Sequence, residues 1–124
     1  MKNKYGNRKV FADGMQFDSV HEYRRYVELK LLQAAGAISD LRCQVRYELI
    51  PPQYVTERRY SKTGKRLQDK QKRVEQSVEY VADFVYVDKD GSEVVEDAKG
   101  KRTKDYVIKR KLMRYIHNIT IQEV

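Results

Sequence analysis

One ten-residue run constrains this chain more than any other. Residues 78–87, VEYVADFVYV, form its most strand-like segment, and Asp83 stands in the middle of it. Val81, Ala82, Phe84, Val85 and Val87 around that carboxylate argue for burial near the centre of a sheet. Burying a lone carboxylate is costly unless it is paired or ligates a metal. Whatever the fold, it has to supply Asp83 with company.

The chain around this run is short. Its 124 residues suffice for one domain, 1–124, with a core of ordinary size, so the fold needs no disulfide or metal staple. The single cysteine, Cys43, excludes an intramolecular disulfide, and His21 and His117 are too few to suggest structural zinc. Cys43 is read as a small buried apolar residue, and a reducing cytoplasm as the compartment. No run of 18 apolar residues is present to span a membrane. The basic start MKNKYGNRKVF lacks the apolar stretch of a secretory signal.

The local signals give an α/β order. Within the arm 1–18, residues 9–17 predict a hairpin turning at Asp13-Gly14. Ser19 and Glu22 make a capping box that opens a helix ended by Gly36, with Val20, Tyr23, Val27, Leu31 and Ala34 at helical spacing. Residues 43–50 alternate as a strand, stopped by Pro51-Pro52. Residues 53–77 are polar and basic and predict a hairpin-like or mobile insertion turning near Thr63-Gly64. After the strand 78–87, Asp90-Gly91 turns into a strand over 93–99. Thr103 caps a helix ended near Asn118, with Tyr106, Ile108, Leu112 and Tyr115 as its candidate buried positions. Residues 119–124 make a last strand. Without the hairpins the order is α-β-β-β-α-β.

Charge is concentrated in three segments. Residues 1–10 hold four basic residues and no acidic one, 51–78 hold eight against three, and 99–114 hold eight against one. These segments carry a net +16, and the remainder of the chain −8, for a total of +8. A solvated surface would explain one such run. Three of them point to a polyanion partner, with a separate acidic site.

The acidic site is read from two strands. Asp97 and Lys99 fall on one face of the strand after the turn, Glu96 and Ala98 on the other. Adjacent strands can thus gather Asp83, Asp97 and the Lys99 ammonium. Two carboxylates that hold Mg²⁺, beside a lysine that orients water or stabilises charge, suit phosphodiester hydrolysis. A salt bridge supporting the sheet is the competing reading. The triplet acid-x-Lys is weak by itself: Glu28-x-Lys30 also has it, inside a predicted helix where i and i+2 share no face.

At this point the chain resembles a known superfamily. The element order, with Asp83, a hairpin and then Asp97-Ala98-Lys99, is similar to the PD-(D/E)xK, restriction-endonuclease-like nucleases. Phe17-Asp18-Ser19 with Glu22 and Tyr23, Gln44, Tyr80-x-Ala82-Asp83-Phe84 and Val95-Glu96-Asp97-Ala98-Lys99-Gly100 carry a closer resemblance, to small phage and prophage proteins described as Holliday-junction-type nucleases. The position before Asp83 is Ala82 where the superfamily often has Pro. The resemblance implies a central mixed four-stranded sheet flanked by helices. It also implies metal-dependent cleavage of branched or flapped recombination or replication DNA, in the cytoplasm of a bacterial host. Asp83, Asp97 and the Ala98 carbonyl would be ligands to Mg²⁺ or Mn²⁺, Lys99 the water-orienting lysine, and Glu22 the acid completing the site. A junction resolvase needs two centres, hence a homodimer.

Several residues keep two readings. Glu22 is also the residue that can satisfy the Ser19 N–H in the capping box. Glu96 points away by alternation. Lys101, Arg102, Lys104 and Lys109, in and before the second long helix, are DNA contacts or a solvated face. Arg58, Arg59, Lys65 and Arg66 of the insertion are a second set, and Tyr54 and Tyr60 can stack there on unpaired bases. Tyr23, Tyr26, Tyr47 and Tyr106 are read as packing. His21 is read as a surface residue and His117 as a helix-dipole partner.

Overall fold

The computed structural model describes residues 8–98 and 101–124. Two three-residue strands, β1 (Val10–Ala12) and β2 (Met15–Phe17), pair antiparallel around Asp13 and Gly14, both at positive φ as a tight turn requires. The Asp13 carboxylate accepts from the Tyr26 hydroxyl at 2.7 Å and the Lys30 ammonium at 3.1 Å, tying the turn to the helix that follows.

That helix, α1 (Val20–Ala34), starts where the capping signal predicts. The Ser19 hydroxyl accepts from the Glu22 N–H at 3.1 Å, a cap worth about 1 kcal/mol. The Glu22 carboxylate does not close the box on Ser19. It accepts from the Asp18 N–H at 2.9 Å, one residue earlier. The second long helix, α2 (Lys104–His117), is capped by the Thr103 hydroxyl on the Tyr106 N–H and closed by Asn118 in the left-handed conformation, as its sequence predicts.

The central sheet has four strands in the order β3 (Ser39–Ile50), β6 (Val78–Val87), β7 (Glu93–Asp97), β8 (Gln122–Glu123). The first three run antiparallel and β8 joins β7 in parallel. The parallel partner arrives through α2, which gives the sheet its mixed character. The last strand is shorter than its apolar residues suggest: it pairs only through Gln122 and Glu123, beside Glu96 and Asp97 at the end of β7, while Ile121 packs in the core beneath α2. Between β3 and β6 the insertion forms a separate antiparallel ribbon, β4 (Gln53–Tyr60) and β5 (Arg66–Glu75), turning around Gly64.

Two apolar clusters cover the sheet. Phe17, Tyr26, Leu29, Phe84 and Tyr86 pack on the α1 side; Leu49, Tyr80, Ala82, Val85, Val95, Tyr106, Met113 and Ile121 pack on the α2 side. The helix faces differ from those expected. On α1 the buried residues are Glu22, Tyr26 and Leu29, while Val20, Val27 and Leu31 are exposed. On α2 they are Tyr106 and Met113, with Leu112 half-buried, while Ile108 and Tyr115 are exposed. Apolar spacing marks a helix but does not say which side meets the sheet. Tyr26 and Tyr106 pack in the core as expected; Tyr23, Tyr47 and Cys43 are half-buried.

Cluster membership exposes a break in the pleat. Ala82 and Phe84 are two apart on β6, so regular alternation would put them on one face. They lie in opposite clusters. On β3, Cys43 packs on the α1 side and Val45 on the α2 side. Both switches fall on the rung between the pairs Cys43–Phe84 and Val45–Ala82, where Gln44 stands opposite Asp83. Gln44 has φ +55°, a left-handed conformation within a strand. Such backbone costs about 1–3 kcal/mol and gathers at functional sites.

Among the described residues, no helix is long and apolar enough to cross a membrane.

Candidate functional site

The broken rung is where the predicted acids meet. Asp83, expected to be buried, is half-buried, at the rung where β6 changes face. Its Oδ2 accepts from the Ala98 N–H at 2.8 Å, which ties the end of β7 to β6. Asp97 is fully buried and accepts from the Tyr80 hydroxyl at 2.5 Å. Burial, together with Asp97, raises the Tyr80 phenol well above its ordinary range, so it stays a donor.

Glu22 arrives from α1. It is 3% exposed and close enough to Asp83 and Asp97 for both to act on its carboxyl. Its Oε1 accepts from the Gln44 amide at 3.2 Å, its Oε2 from the Asp18 N–H. Burial pushes the Glu22 carboxyl up, and the charges of Asp18 and Asp97 add to the rise. The cap and site readings of Glu22 therefore coexist: one carboxylate anchors the helix start and faces Asp83.

The rise has a testable sign. The folded protein holds this proton more tightly than the unfolded chain, so deprotonation favours unfolding. Without divalent metal, stability falls as pH climbs from the ordinary carboxylate range through the raised Glu22 value. Glu22→Gln keeps an oxygen for the Asp18 N–H and lacks that loss. Urea melts of both proteins at a series of pH values measure it; parallel profiles would refute it.

Glu96 points away from this cluster, as alternation predicts. It is fully buried on the α1 side and takes a bidentate hydrogen bond from Arg25 at 2.8 and 2.7 Å. The Tyr86 hydroxyl donates to the same carboxylate, and burial pushes that phenol up to about 12. Sequence reasoning gave no role to Arg25 or Tyr86, and named Tyr80 only as part of a motif. The available signal was Glu96 itself: a carboxylate on the inward face of an apolar strand needs a buried partner.

The third member of the predicted triplet, Lys99, lies outside the described residues, as does residues 1–7 of the basic arm. Arg58, Arg59, Lys65 and Arg66 are exposed on or beside the ribbon. Lys101, Arg102 and Lys104 are exposed at the start of α2, and Lys109 is half-buried. Arg102 pairs with Glu123 at 2.7 Å, an exposed bridge that a phosphate can replace at little cost. His21 is exposed and contacts the Val124 carbonyl; His117, in the last turn of α2, contacts that of Glu48.

Among the described residues, no group of three His, Cys, Asp or Glu side chains is placed so that it could hold a metal ion. The donor chemistry still fits a hard cation. Glu22, Asp83 and Asp97 come close enough to act on one another electrostatically, and every donor is oxygen. Like charges this close call for a shared proton or a cation.

Fold and site define a mixed α/β domain whose central strands carry a cluster of carboxylates, with a basic ribbon attached. The chain belongs to the DUF1064 family, described as proteins of unknown function, whose family model matches residues 2–122. No curated protein and no solved structure matches it.

Proposed function

We propose that this chain is a metal-dependent DNA endonuclease with a PD-(D/E)xK, restriction-endonuclease-like core. Its substrates are branched or flapped recombination or replication intermediates of a phage or prophage in the bacterial cytoplasm. The observation that carries the reading is that Glu22 of α1, hydrogen-bonded to Gln44, comes to the rung of Asp83 on β6, beside Asp97 at the end of β7. The order α1, β3, β6, β7, α2, β8 supports it, being the order the resemblance implies.

Mg²⁺ or Mn²⁺ would be held by Asp83, Asp97, the Ala98 carbonyl and Glu22, where it would acidify water and neutralise charge on the phosphorane-like transition state. The chain's own groups prepare the place. Tyr80 holds Asp97 in one orientation and remains protonated. Asp83, through the Ala98 N–H, positions the strand end that leads to Lys99. Gln44 and the Asp18 N–H hold Glu22. Lys99 is assigned to orient the attacking water. Lys101, Arg102, Lys104 and Lys109 on one side, and the ribbon on the other, bind phosphates without reading sequence. A homodimer would bring one centre to each strand of a junction.

The test is cleavage of labelled four-way junctions, flaps, single strands and duplexes with Mg²⁺, Mn²⁺ or EDTA. Metal-dependent cutting that favours branched substrates is expected. Binding without cutting, for every substrate and metal, would replace this reading with a non-catalytic nucleic-acid-binding module.

A further inference from the structure

The ribbon has two chemically different faces. Every residue of β4 and β5 is exposed, and the two strands pair only with each other. Cross-strand partners share a face. Tyr54 stands opposite Arg73, and Tyr60 opposite Arg66. Alternation along β4 places Arg58 on the same side as both tyrosines. The Gln71–Thr56 hydrogen bond at 2.9 Å links another pair on this face. The opposite face carries the pairs Val55–Lys72 and Glu57–Lys70.

Two tyrosines six positions apart, each beside an arginine, thus line one side of a two-stranded arm. The two residues are 55% and 56% exposed. They lie roughly 20 Å apart at the rise of an extended strand. Both tyrosines stand in water, outside either core cluster. Exposed rings alternating with guanidinium groups are the composition of a base-stacking platform with a phosphate clamp.

We propose that this face, Tyr54, Arg58, Tyr60, Arg66 and Arg73, binds an unpaired nucleic-acid strand, the bases stacking on the tyrosines and the phosphates lying on the arginines. Duplex DNA fits the face less well. Its bases are already stacked, and tyrosine is a poor reader of base edges compared with arginine, lysine or asparagine. Unpaired bases offer free ring faces. The inference deepens the nuclease reading and rests on it for the choice of DNA. It gives the protein a means of choosing flaps and opened branches over plain duplex.

The test is binding without chemistry: fluorescence anisotropy of labelled oligo-dT and of a blunt duplex, in EDTA, with the full chain. Tyr54→Ala/Tyr60→Ala should weaken oligo-dT binding by about 5- to 150-fold per ring lost, with a smaller effect on duplex. Tyr54→Phe/Tyr60→Phe, which keeps the ring and loses the hydroxyl, should bind as the parent does. Arg58→Gln/Arg66→Gln/Arg73→Gln should weaken binding and lower the salt slope by about 2. Ile50 and Val78 are register partners, so an Asn-Gly turn can join them and remove the ribbon. That variant should keep its melting transition and lose oligo-dT binding. The proposal is overturned if the double alanine variant binds oligo-dT within about twofold of the parent. Equal losses on oligo-dT and duplex overturn it as well. Absence of cleavage by the parent protein would fail the nuclease reading and leave these binding results as they stand.

Discussion

Asp83→Asn and Asp97→Asn are each expected to lower the proposed metal-dependent cleavage by more than about 100-fold, since even the outer partners of a metal ligand are worth 10–100-fold. Both variants keep the fold, and the reason is geometric. An asparagine oxygen at 83 still accepts from the Ala98 N–H, and one at 97 still accepts from the Tyr80 hydroxyl. Only the negative charge is lost. The readouts are single-turnover cleavage and melting with and without Mn²⁺. Mn²⁺ should raise the melting temperature of the parent and fail to raise that of either variant. Cleavage by either variant within about tenfold of the parent would sink the site assignment.

Arg25→Met is expected to be the most destabilising change on the α1 side, by about 3–5 kcal/mol, because it leaves the buried Glu96 charge uncompensated. That is a large part of the 5–15 kcal/mol that holds a typical domain together. In the variant Glu96 keeps the Tyr86 hydroxyl and loses both guanidinium contacts. Arg25→Met/Glu96→Leu should recover most of the loss, since an apolar pair of similar volume often replaces a buried ion pair without cost. Denaturant melts of the two variants decide the matter. An Arg25→Met protein as stable as the parent would mean that Glu96 is not held as a buried charge.

Much of the fold is legible residue by residue. Asp13-Gly14, Ser19, Thr103 and Asn118 mark their turn and caps because each meets a local backbone need. The polar run 53–77 becomes an exposed ribbon because it has too little apolar surface to join a core. The helix faces are not legible in the same way. On α1 the stripe Val20, Val27, Leu31 looks like the inside, yet Glu22, Tyr26 and Leu29 are buried. The helix is turned so that Glu22 reaches Asp83 and Arg25 reaches Glu96, and these polar contacts are invisible to apolar periodicity. Asp83 announces a need for partners, but nothing near it in the chain names Glu22. Gln44 is an ordinary polar residue of an alternating strand until its left-handed φ is seen.

By itself, then, the sequence determined the elements, their order, their ends and the segregation of charge. These depend on contacts within a few residues, or on composition. The tertiary structure alone decided which side of each helix faces the sheet, where the pleat breaks, and which side chains answer the carboxylates of Asp83, Glu96 and Asp97. Such choices balance desolvation against pairing between groups distant in the chain, and local sequence does not encode that balance.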